Sequence, residues 1–305
     1  MREKRTWILY AGLLVLFWGV WGAFSSQPTE RYGYPDEMIY VIWAFTMLVP
    51  AAVALRRERF DRRPIAAVYG LVAGLTGAGG QLLLFQALSD GPAYLIFPVV
   101  SLSPVVTVLM AVALLRERIG KLAAIGVVAA LIAIVLISIP AGAGGSVSTG
   151  AWLVLAILIC VAWGAQAFFM RKAALAGVND ATTFGWMTVS GLLLVPVAVL
   201  MMGGLPDAVW QAPALTAGTQ ILNSTGALFL VMALSRGSAS VVAPVTNALA
   251  PVLTIALSLA VYQTLPTIWA TTGIVLAIGG STLLVYEDEK REELPERLEA
   301  STVES

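Results

Sequence analysis

The chain contains an internal repeat whose second copy has its charge reversed. Residues 86–93, QALSDGPA, return as residues 232–239, MALSRGSA. Within this match Asp90 aligns with Arg236, so an acidic position of the first copy is basic in the second. Basic residues accumulate in the cytoplasmic loops of membrane proteins, so a reversal of loop charge is expected when two copies have opposite orientations in a membrane. Inverted repeats are typical of secondary transporters, the class that this feature predicts.

Long apolar stretches cover most of the chain. Apolar residues make up 59% of the sequence and charged residues only 12%, whereas soluble domains are about 25% charged. Ten stretches each have roughly the 17–25 residues that a helix needs to cross a membrane. Because these stretches are apolar throughout rather than alternating, strands are a poor alternative. The sequence therefore predicts an all-α integral membrane protein with ten transmembrane helices, at about 7–26, 38–55, 64–88, 93–115, 119–139, 151–171, 181–202, 212–234, 239–262 and 266–286.

The basic residues predict the orientation of these helices. With the N-terminus in the cytoplasm, all of the 18 Lys and Arg residues except Arg31 fall on the cytoplasmic side. This distribution is a strong positive-inside signal, and one missed or added helix would scatter the basic loops over both sides. We therefore expect both termini in the cytoplasm and a multi-pass protein of the plasma membrane, the inner membrane of a bacterium.

The ten helices divide into two halves. The first repeat covers residues 7–139 and the second covers 151–286. Residues 140–150 are rich in Gly and Ala and are interpreted as a flexible linker. Residues 287–305 form an acidic cytoplasmic tail, expected to be disordered, with a short helix as the alternative. One inverted pair suffices for one pathway, so a monomer can function, and a dimer remains compatible with the sequence.

Several motifs give the chain a family resemblance. Trp18-Gly19, near the middle of the first helix, recurs as Trp163-Gly164 in the first helix of the second repeat. The fourth helix carries prolines and ends in Arg116-Glu117-Arg118. These features resemble the drug/metabolite transporter superfamily, and within it the EamA-type ten-helix permeases. The resemblance covers about residues 7–286 and implies a permease, in a superfamily that carries amino acids, sugars, nucleotide precursors and drugs.

The chain departs from the family pattern at one position. The acidic residue that the family has at the end of the fourth helix is present as Glu117, but the matching position in the second repeat is Thr264. A mechanism that needs a symmetric pair of carboxylates there is therefore in doubt.

The placement of the acids narrows the substrate class. All 18 Asp and Glu residues lie in predicted loops, tails or helix ends, and the chain has no histidine. Buried ionisable groups are the usual proton relays and counter-ions of membrane carriers. A neutral or zwitterionic metabolite is therefore expected to cross by alternating access, in an exporter or exchanger. Drug efflux, sugar uptake and the flipping of a lipid-like substrate remain alternatives.

Uncharged polar and aromatic side chains in the spans are the candidates for the binding site. Unpaired polar groups are unfavourable in hydrocarbon, so these side chains are expected to face the interior of the bundle. Gln81 and Asn223 are the strongest candidates because an amide both donates and accepts hydrogen bonds. Each residue could equally make an interhelical hydrogen bond or fill core volume. The candidate substrate-binding residues are Trp18, Trp21, Gln81, Ser101, Trp163, Gln166, Asn223 and Asn247.

Further polar residues accompany this set: Gln86, Ser103, Ser224, Thr225 and Thr246. In contrast, Trp7 and Trp269 lie near span ends and are expected in the interfacial aromatic belt.

Prolines in the fourth and ninth spans are candidate hinges. Pro98 and Pro104 are expected to interrupt the fourth span, and Pro244 and Pro251 the ninth, because proline removes a backbone hydrogen bond and bends a helix. A frozen kink is the alternative. If these bends open and close gates, replacing Pro98 and Pro244 by Ala should change transport rate more than affinity.

Other classes of protein lack support in the sequence. No Gly-x-x-x-x-Gly-Lys-Ser/Thr motif occurs, and one cysteine, Cys160, with no histidine, provides no multi-cysteine or histidine metal site. We therefore expect no enzyme activity, no cofactor, no metal and no nucleic-acid partner; the expected partners are a small-molecule substrate and the lipid bilayer. A membrane scaffold or receptor stays an alternative, which a water-filled cavity between the repeats would exclude.

Overall fold

The computed structural model of the protein describes residues 6–90, 96, 99–100, 102–137, 151–204, 209–262 and 267–303. Side chains are described for these residues except 85, 88–90, 137, 258–262 and 288–303. The described residues form α-helices joined by turns and short irregular segments, with no strand among them.

The helices follow one another along the chain with short connections. They are α1 (Thr6–Phe24), α2 (Gln27–Tyr32), α3 (Asp36–Thr46), α4 (Leu48–Arg57), α5 (Pro64–Asp90), α6 (Ser103–Leu114), α7 (Lys121–Ile137), α8 (Ala151–Leu175), α9 (Asp180–Leu193), α10 (Val195–Met202), α11 (Gln211–Arg236), α12 (Ala239–Tyr262) and α13 (Ile268–Val303).

Eight helical segments of the described residues are long and apolar enough to cross a membrane. They are Thr6–Tyr32, Asp36–Arg57, Pro64–Leu84, Ala151–Leu175, Asp180–Met202, Gln211–Arg236, Ala239–Leu257 and Ile268–Glu287. At the predicted fourth and fifth spans, the described helices are shorter and apolar, Ser103–Leu114 and Lys121–Leu136. The prediction of an all-α, multi-pass membrane protein is confirmed.

The second span of each repeat is broken by a proline that the sequence analysis did not single out. α3 ends before Met47, and α4, which follows it, contains Pro50. In the same way α9 ends before Leu194, and α10 contains Pro196. Proline has no N–H and its ring clashes with the carbonyl four residues earlier. The break therefore lies in the turn before each proline, at matching places in the two repeats.

The two repeats interlock rather than pack as separate halves. α1 of the first repeat packs against α11 and α12 of the second, and α8 of the second packs against α5 and α6 of the first. α7 and α13, the last helices of the two repeats, also pack together. The core between these helices therefore belongs to both repeats. The largest fully buried side chains of the described protein include Trp7, Tyr40, Phe168 and Phe184.

A glycine pair sets the closeness of α7 and α13. A Cβ added to Gly126 would lie 2.8 Å from the carbonyl oxygen of Gly280, and one added to Gly280 would lie 2.9 Å from that of Gly126. Small residues allow two helices to approach at their backbones. Gly280 therefore packs against α7, whereas a Cβ on Gly279 would meet nothing within 4 Å.

The acidic tail differs from the expectation of disorder. α13 runs from Ile268 to Val303, so the helix of the last span continues through most of the tail. Glu, a good helix former, is frequent in this segment, which favours the alternative of a helical tail.

Candidate functional site

The first helix of each repeat carries a tryptophan whose indole N–H crosses to the other repeat. Trp18 on α1 donates to the carbonyl of Asn223 on α11, with a nitrogen–oxygen distance of 3.1 Å. Trp163 on α8 donates to the carbonyl of Gly77 on α5, at 3.2 Å. Since α1 and α8 are the first helices of the repeats, and α5 and α11 their third spans, the two contacts are equivalent by the repeat.

Each of these rings lies on a glycine one helical turn beyond the accepting carbonyl. A Cβ on Gly80 would lie 2.6 Å from Nε1 of Trp163, and a Cβ on Gly226 would overlap the ring of Trp18. Only glycine permits so close an approach of an indole ring to the backbone. The hydrogen-bonding atom of each tryptophan is therefore used within the protein, and each half-buried ring is held in one place.

The glycine after each tryptophan is bound by the fourth span of the other repeat. Thr254 Oγ1 on α12 donates to the carbonyl of Gly19, and Thr107 Oγ1 on α6 donates to that of Gly164, both at 3.1 Å. The Trp-Gly pair thus connects its helix to the third span through the indole and to the fourth through the carbonyl. The sequence analysis missed both threonines, although they stand at the same spacing after Pro104 and Pro251.

Three candidate residues have polar atoms that the described protein does not use. Trp21 Nε1 is buried without a hydrogen-bond partner. Gln166, which follows Trp163 as Trp21 follows Trp18, packs its amide against Gly77. Gln166 and the half-buried Gln81 make no hydrogen bond within the described residues. Trp21 and Gln166 therefore occupy matching positions of α1 and α8, and each has a hydrogen-bond donor that is unused within the described residues.

The two asparagine candidates bond within their own helices. Asn223 Nδ2 donates to Gln220 Oε1 at 3.2 Å, and Asn247 Nδ2 donates to the carbonyl of Ala243 at 2.9 Å. Both side chains are half-buried. Asn223 also supplies the carbonyl that accepts from Trp18, so α11 and α1 meet at this residue.

The remaining candidates lie apart from these contacts or outside the described residues. Ser101 and Pro98 are not among the described residues. Pro104 is the second residue of α6, where proline is tolerated because the first turn has unpaired N–H groups in any helix. The sequence analysis expected Pro244 and Pro251 to interrupt the ninth span. In the structure α12 is continuous, with both prolines inside it.

Two further expectations are wrong. Trp7 is 2% exposed and packs against Gly237, so it is a core residue rather than part of an interfacial belt. Its place near the end of a span suggested the belt, but α1 is covered there by the turn between α11 and α12. Gln86 was expected to face the interior and is exposed.

One end of the bundle gathers loops that hold or adjoin most of the described basic residues. Loops 58–63, 115–120, 176–179 and 237–238 lie together there, as their contacts below show, and we call this the basic end. Glu117, after α6, accepts hydrogen bonds from the backbone N–H of Ala239 at 3.1 Å and of Ser240 at 3.0 Å. It also accepts one from Ser240 Oγ at 2.7 Å. The carboxylate therefore caps the start of α12, where free N–H groups favour a negative charge.

Two arginines complete the contacts between the repeats at this end. Arg171, in the last turns of α8, lies 3.5 Å from Glu117 Oε1 and donates to the carbonyl of Leu234 at 3.0 Å. Arg236 Nη1, at the end of α11, lies 2.6 Å from Asp180 Oδ2. Its guanidinium also stacks over the ring of Tyr10, 4.8 Å from the centroid. Side chains from α1, α8, α9 and α11, together with that of Glu117, thus close the basic end.

A separate groove opens between α12 and α13. Its volume is about 410 Å³, and it is lined mostly by apolar atoms of Leu249, Ile278, Ser281, Thr282, Val285 and Tyr286. Both helices belong to the second repeat, and none of the predicted binding residues lines this groove.

Comparison with known proteins gives a family match and similar solved structures. Residues 5–139 and 150–286 each match the model of the EamA-like transporter family. A solved structure, described only as a crystal structure of a protein, is 20% identical, with a TM-score of 0.76 over 92% of this chain and 98% of that chain. At this identity the match shows a shared fold alone. No curated protein matches the chain.

Proposed function

We propose, because the chain belongs to the EamA-like transporter family, that it carries a small neutral or zwitterionic metabolite through a pathway between its two repeats. Family membership makes it a membrane transporter of the drug/metabolite type, in a family of transporters rather than enzymes. We place the multi-pass protein in the plasma membrane of a bacterium, where it acts as an exporter or exchanger.

The unused donors of Trp21, Gln81 and Gln166 carry this proposal. Buried polar groups in proteins nearly always have partners, yet the buried Trp21 Nε1 has none in the part of the chain that the structure describes. The half-buried Gln81 and Gln166 also make no hydrogen bond there. A solute with carbonyl, hydroxyl or carboxylate oxygens would satisfy these N–H groups. The amide oxygens of the two glutamines would in turn accept from an amine or hydroxyl of the solute.

The position of the charges supports an uncharged or zwitterionic substrate. The ion pairs Asp61–Arg63, Glu117–Arg171 and Asp180–Arg236 all lie at the basic end. The three donor side chains are uncharged, and none of them takes part in these pairs. A fully charged solute would lack a counter-ion beside them, which is unfavourable in a low-dielectric interior.

We propose that transport proceeds by alternating access with the basic end as one gate. To open that end, Glu117 must release the start of α12, and Arg236 must separate from Asp180. Trp18 and Trp163 make equivalent contacts within the spans. Each joins the first helix of one repeat to the third span of the other. They are suited to act as pivots, because equivalent contacts can persist while the two ends exchange states.

The test is ligand-induced thermal stabilisation of the purified protein, with amino acids, sugars, nucleosides and lipophilic cations as ligands. Gln81→Ala and Gln166→Ala should abolish the stabilisation by the solute that the wild type binds. Gln86→Ala is the matched control, since this glutamine lies on the same helix as Gln81 with an exposed side chain, and it should respond as the wild type does.

The outcomes separate the alternatives. Stabilisation by a neutral or zwitterionic solute that depends on Gln81 and Gln166, followed by its uptake or counterflow in proteoliposomes, supports the proposal. A response to lipophilic cations alone contradicts the proposed substrate class and favours drug efflux. Equal loss in all three variants contradicts the proposed site.

A further inference from the structure

The loop between α4 and α5 is fixed to the other repeat. The backbone N–H of Asp61 donates to Thr182 Oγ1, and Asn179 Nδ2 donates to the carbonyl of Arg59, both at 2.8 Å. The backbone N–H of Ala181 donates to Glu58 Oε2 at 3.4 Å. These bonds join the loop to the start of α9, so the side chains that the loop carries have a fixed base.

Both acidic residues of this loop are used within the protein. Glu58 accepts from Ala181 as described above, and Asp61 pairs with Arg63, whose Nη2 lies 2.6 Å from Oδ2. Hydrogen bonds from the side chain and backbone of Arg63 hold the pKa of Asp61 below its ordinary value. Arg63 Nη2 also donates to the carbonyl of Gly177 at 2.8 Å. One arginine is therefore neutralised and held in place.

Four arginines in the same short stretch keep their charge uncompensated. Arg56 and Arg57 end α4, and Arg59 and Arg62 lie in the loop; all four are exposed, and their side chains make no hydrogen bond or ion pair within the described residues. Exposed apolar side chains adjoin them, Leu55 at 37% and Phe60 at 39% relative exposure. A dense positive charge thus meets apolar surface at the end of a membrane span.

We propose that this arginine cluster, Arg56, Arg57, Arg59 and Arg62, binds the headgroup of an anionic phospholipid. Guanidinium groups bind phosphate oxygens in pairs, and a cluster of basic residues immediately beyond a span attracts anionic lipid. The exposed parts of Leu55 and Phe60 would contact the acyl chains of such a lipid. Because the loop is bonded to α9, a bound lipid also adds to the contacts that hold the two repeats together at the basic end.

The orientation of the protein in the membrane would by itself account for basic residues here, but for that role lysine would serve as well as arginine. Orientation depends on the number of Lys and Arg residues and not on which of the two is present, whereas paired hydrogen bonds to phosphate need arginine. Replacement by lysine therefore separates the two roles.

The experiment measures phospholipid retained by the purified full chain, by native mass spectrometry, and the shift in melting temperature on adding phosphatidylglycerol or phosphatidylcholine. The wild type should retain phosphatidylglycerol and gain stability from it alone. Arg59→Gln/Arg62→Gln should reduce retention at least several-fold, and Arg59→Lys/Arg62→Lys should reduce it measurably. The control Arg116→Gln/Lys121→Gln removes the same charge from the neighbouring loop at the basic end and should behave as the wild type.

Several results would overturn the proposal. These are equal retention of both lipids by the wild type, unchanged retention in Arg59→Gln/Arg62→Gln, or an equal loss in the control pair. Stabilisation by inorganic phosphate to the same extent would show a phosphate site rather than a phospholipid site. Melting temperatures in phosphatidylcholine, expected to be equal for all variants, show that each is folded.

Discussion

At the scale of single residues, the site depends on glycines that admit tryptophan rings. Gly80 and Gly226 each lie under an indole of the other repeat, and the indole N–H binds a carbonyl one turn away. A hydrogen bond between membrane helices contributes about 0.6–2 kcal/mol. The close approach of ring and backbone adds packing that no larger residue would allow.

Gly226→Ala should destabilise the protein. A Cβ at this position overlaps the Trp18 ring, and overpacking of a well-filled interior costs about 1–3 kcal/mol. The control is Gly218→Ala on the same helix, where a Cβ would meet nothing within 4 Å; it should be neutral or stabilising, because alanine favours a helix over glycine. Thermal melting of both variants checks this, and equal melting temperatures would show that the Trp18 contact is not tight.

At the scale of helices, the end of one helix holds the start of another through a side chain. Glu117 follows α6 in the first repeat and caps α12 in the second, while Arg171 on α8 contacts the same carboxylate. Three segments therefore depend on one acid. The sequence analysis identified Glu117 through a family pattern, but its partners are distant in the chain and carry no local signal.

Glu117→Ala should destabilise the protein by about 1–3 kcal/mol, because the cap of α12 is lost and Arg171 is left without its carboxylate. Glu117→Gln should lie between this variant and the wild type, since the amide oxygen still accepts one hydrogen bond. Chemical unfolding in detergent gives the order of the three. Equal stability of Glu117→Ala and the wild type would contradict a capping role.

The ion pair of Asp180 and Arg236 should show coupling in a double-mutant cycle. Asp180→Asn and Arg236→Gln each leave one partly buried charge unpaired, and the pair of changes together should cost less than their sum by about 0.5–3 kcal/mol. Arg236 is 30% exposed, which favours the lower part of this range because water screens the pair. Additive losses in melting stability would mean that the two charges do not interact.

At the scale of the whole molecule, the two ends of the bundle differ although the repeats are related. α3 and α9 start at matching acids, Asp36 and Asp180, each shortly after a glycine with positive φ. Asp180 pairs with Arg236, but the position that matches Arg236 is Asp90. The residues that match the ion pair of the basic end are therefore two acids, Asp36 and Asp90, which cannot form such a pair. We expect the state with the basic end closed to be favoured.

Asp90→Arg should reduce this difference, because it gives the other end an arginine at the position that matches Arg236. If the added arginine stabilises the closed form of that end, the end should open more slowly. Counterflow in proteoliposomes should then fall several-fold while ligand-induced stabilisation is retained. Asp90→Asn removes the acid without adding a base and serves as the control, with a smaller effect expected. An unchanged rate in Asp90→Arg, with normal insertion, would contradict a gate built on this charge difference.

The sequence by itself determined the helical membrane class, the two related halves and the family. These depend on composition, on loop charge and on a repeat, which are properties of the chain read in order. Only the tertiary structure showed that α1 and α8 exchange partners between the halves, and that Trp7 is buried whereas Gln86 is exposed. In a chain that is apolar on all sides, hydropathy does not distinguish the side of a helix that faces lipid from the side that faces another helix. Close packing and hydrogen bonds between helices do make this distinction. The indole rings pack where Gly80 and Gly226 have no Cβ. The hydroxyls of Thr107 and Thr254 and the carboxylate of Glu117 each bind the backbone of a helix in the other repeat.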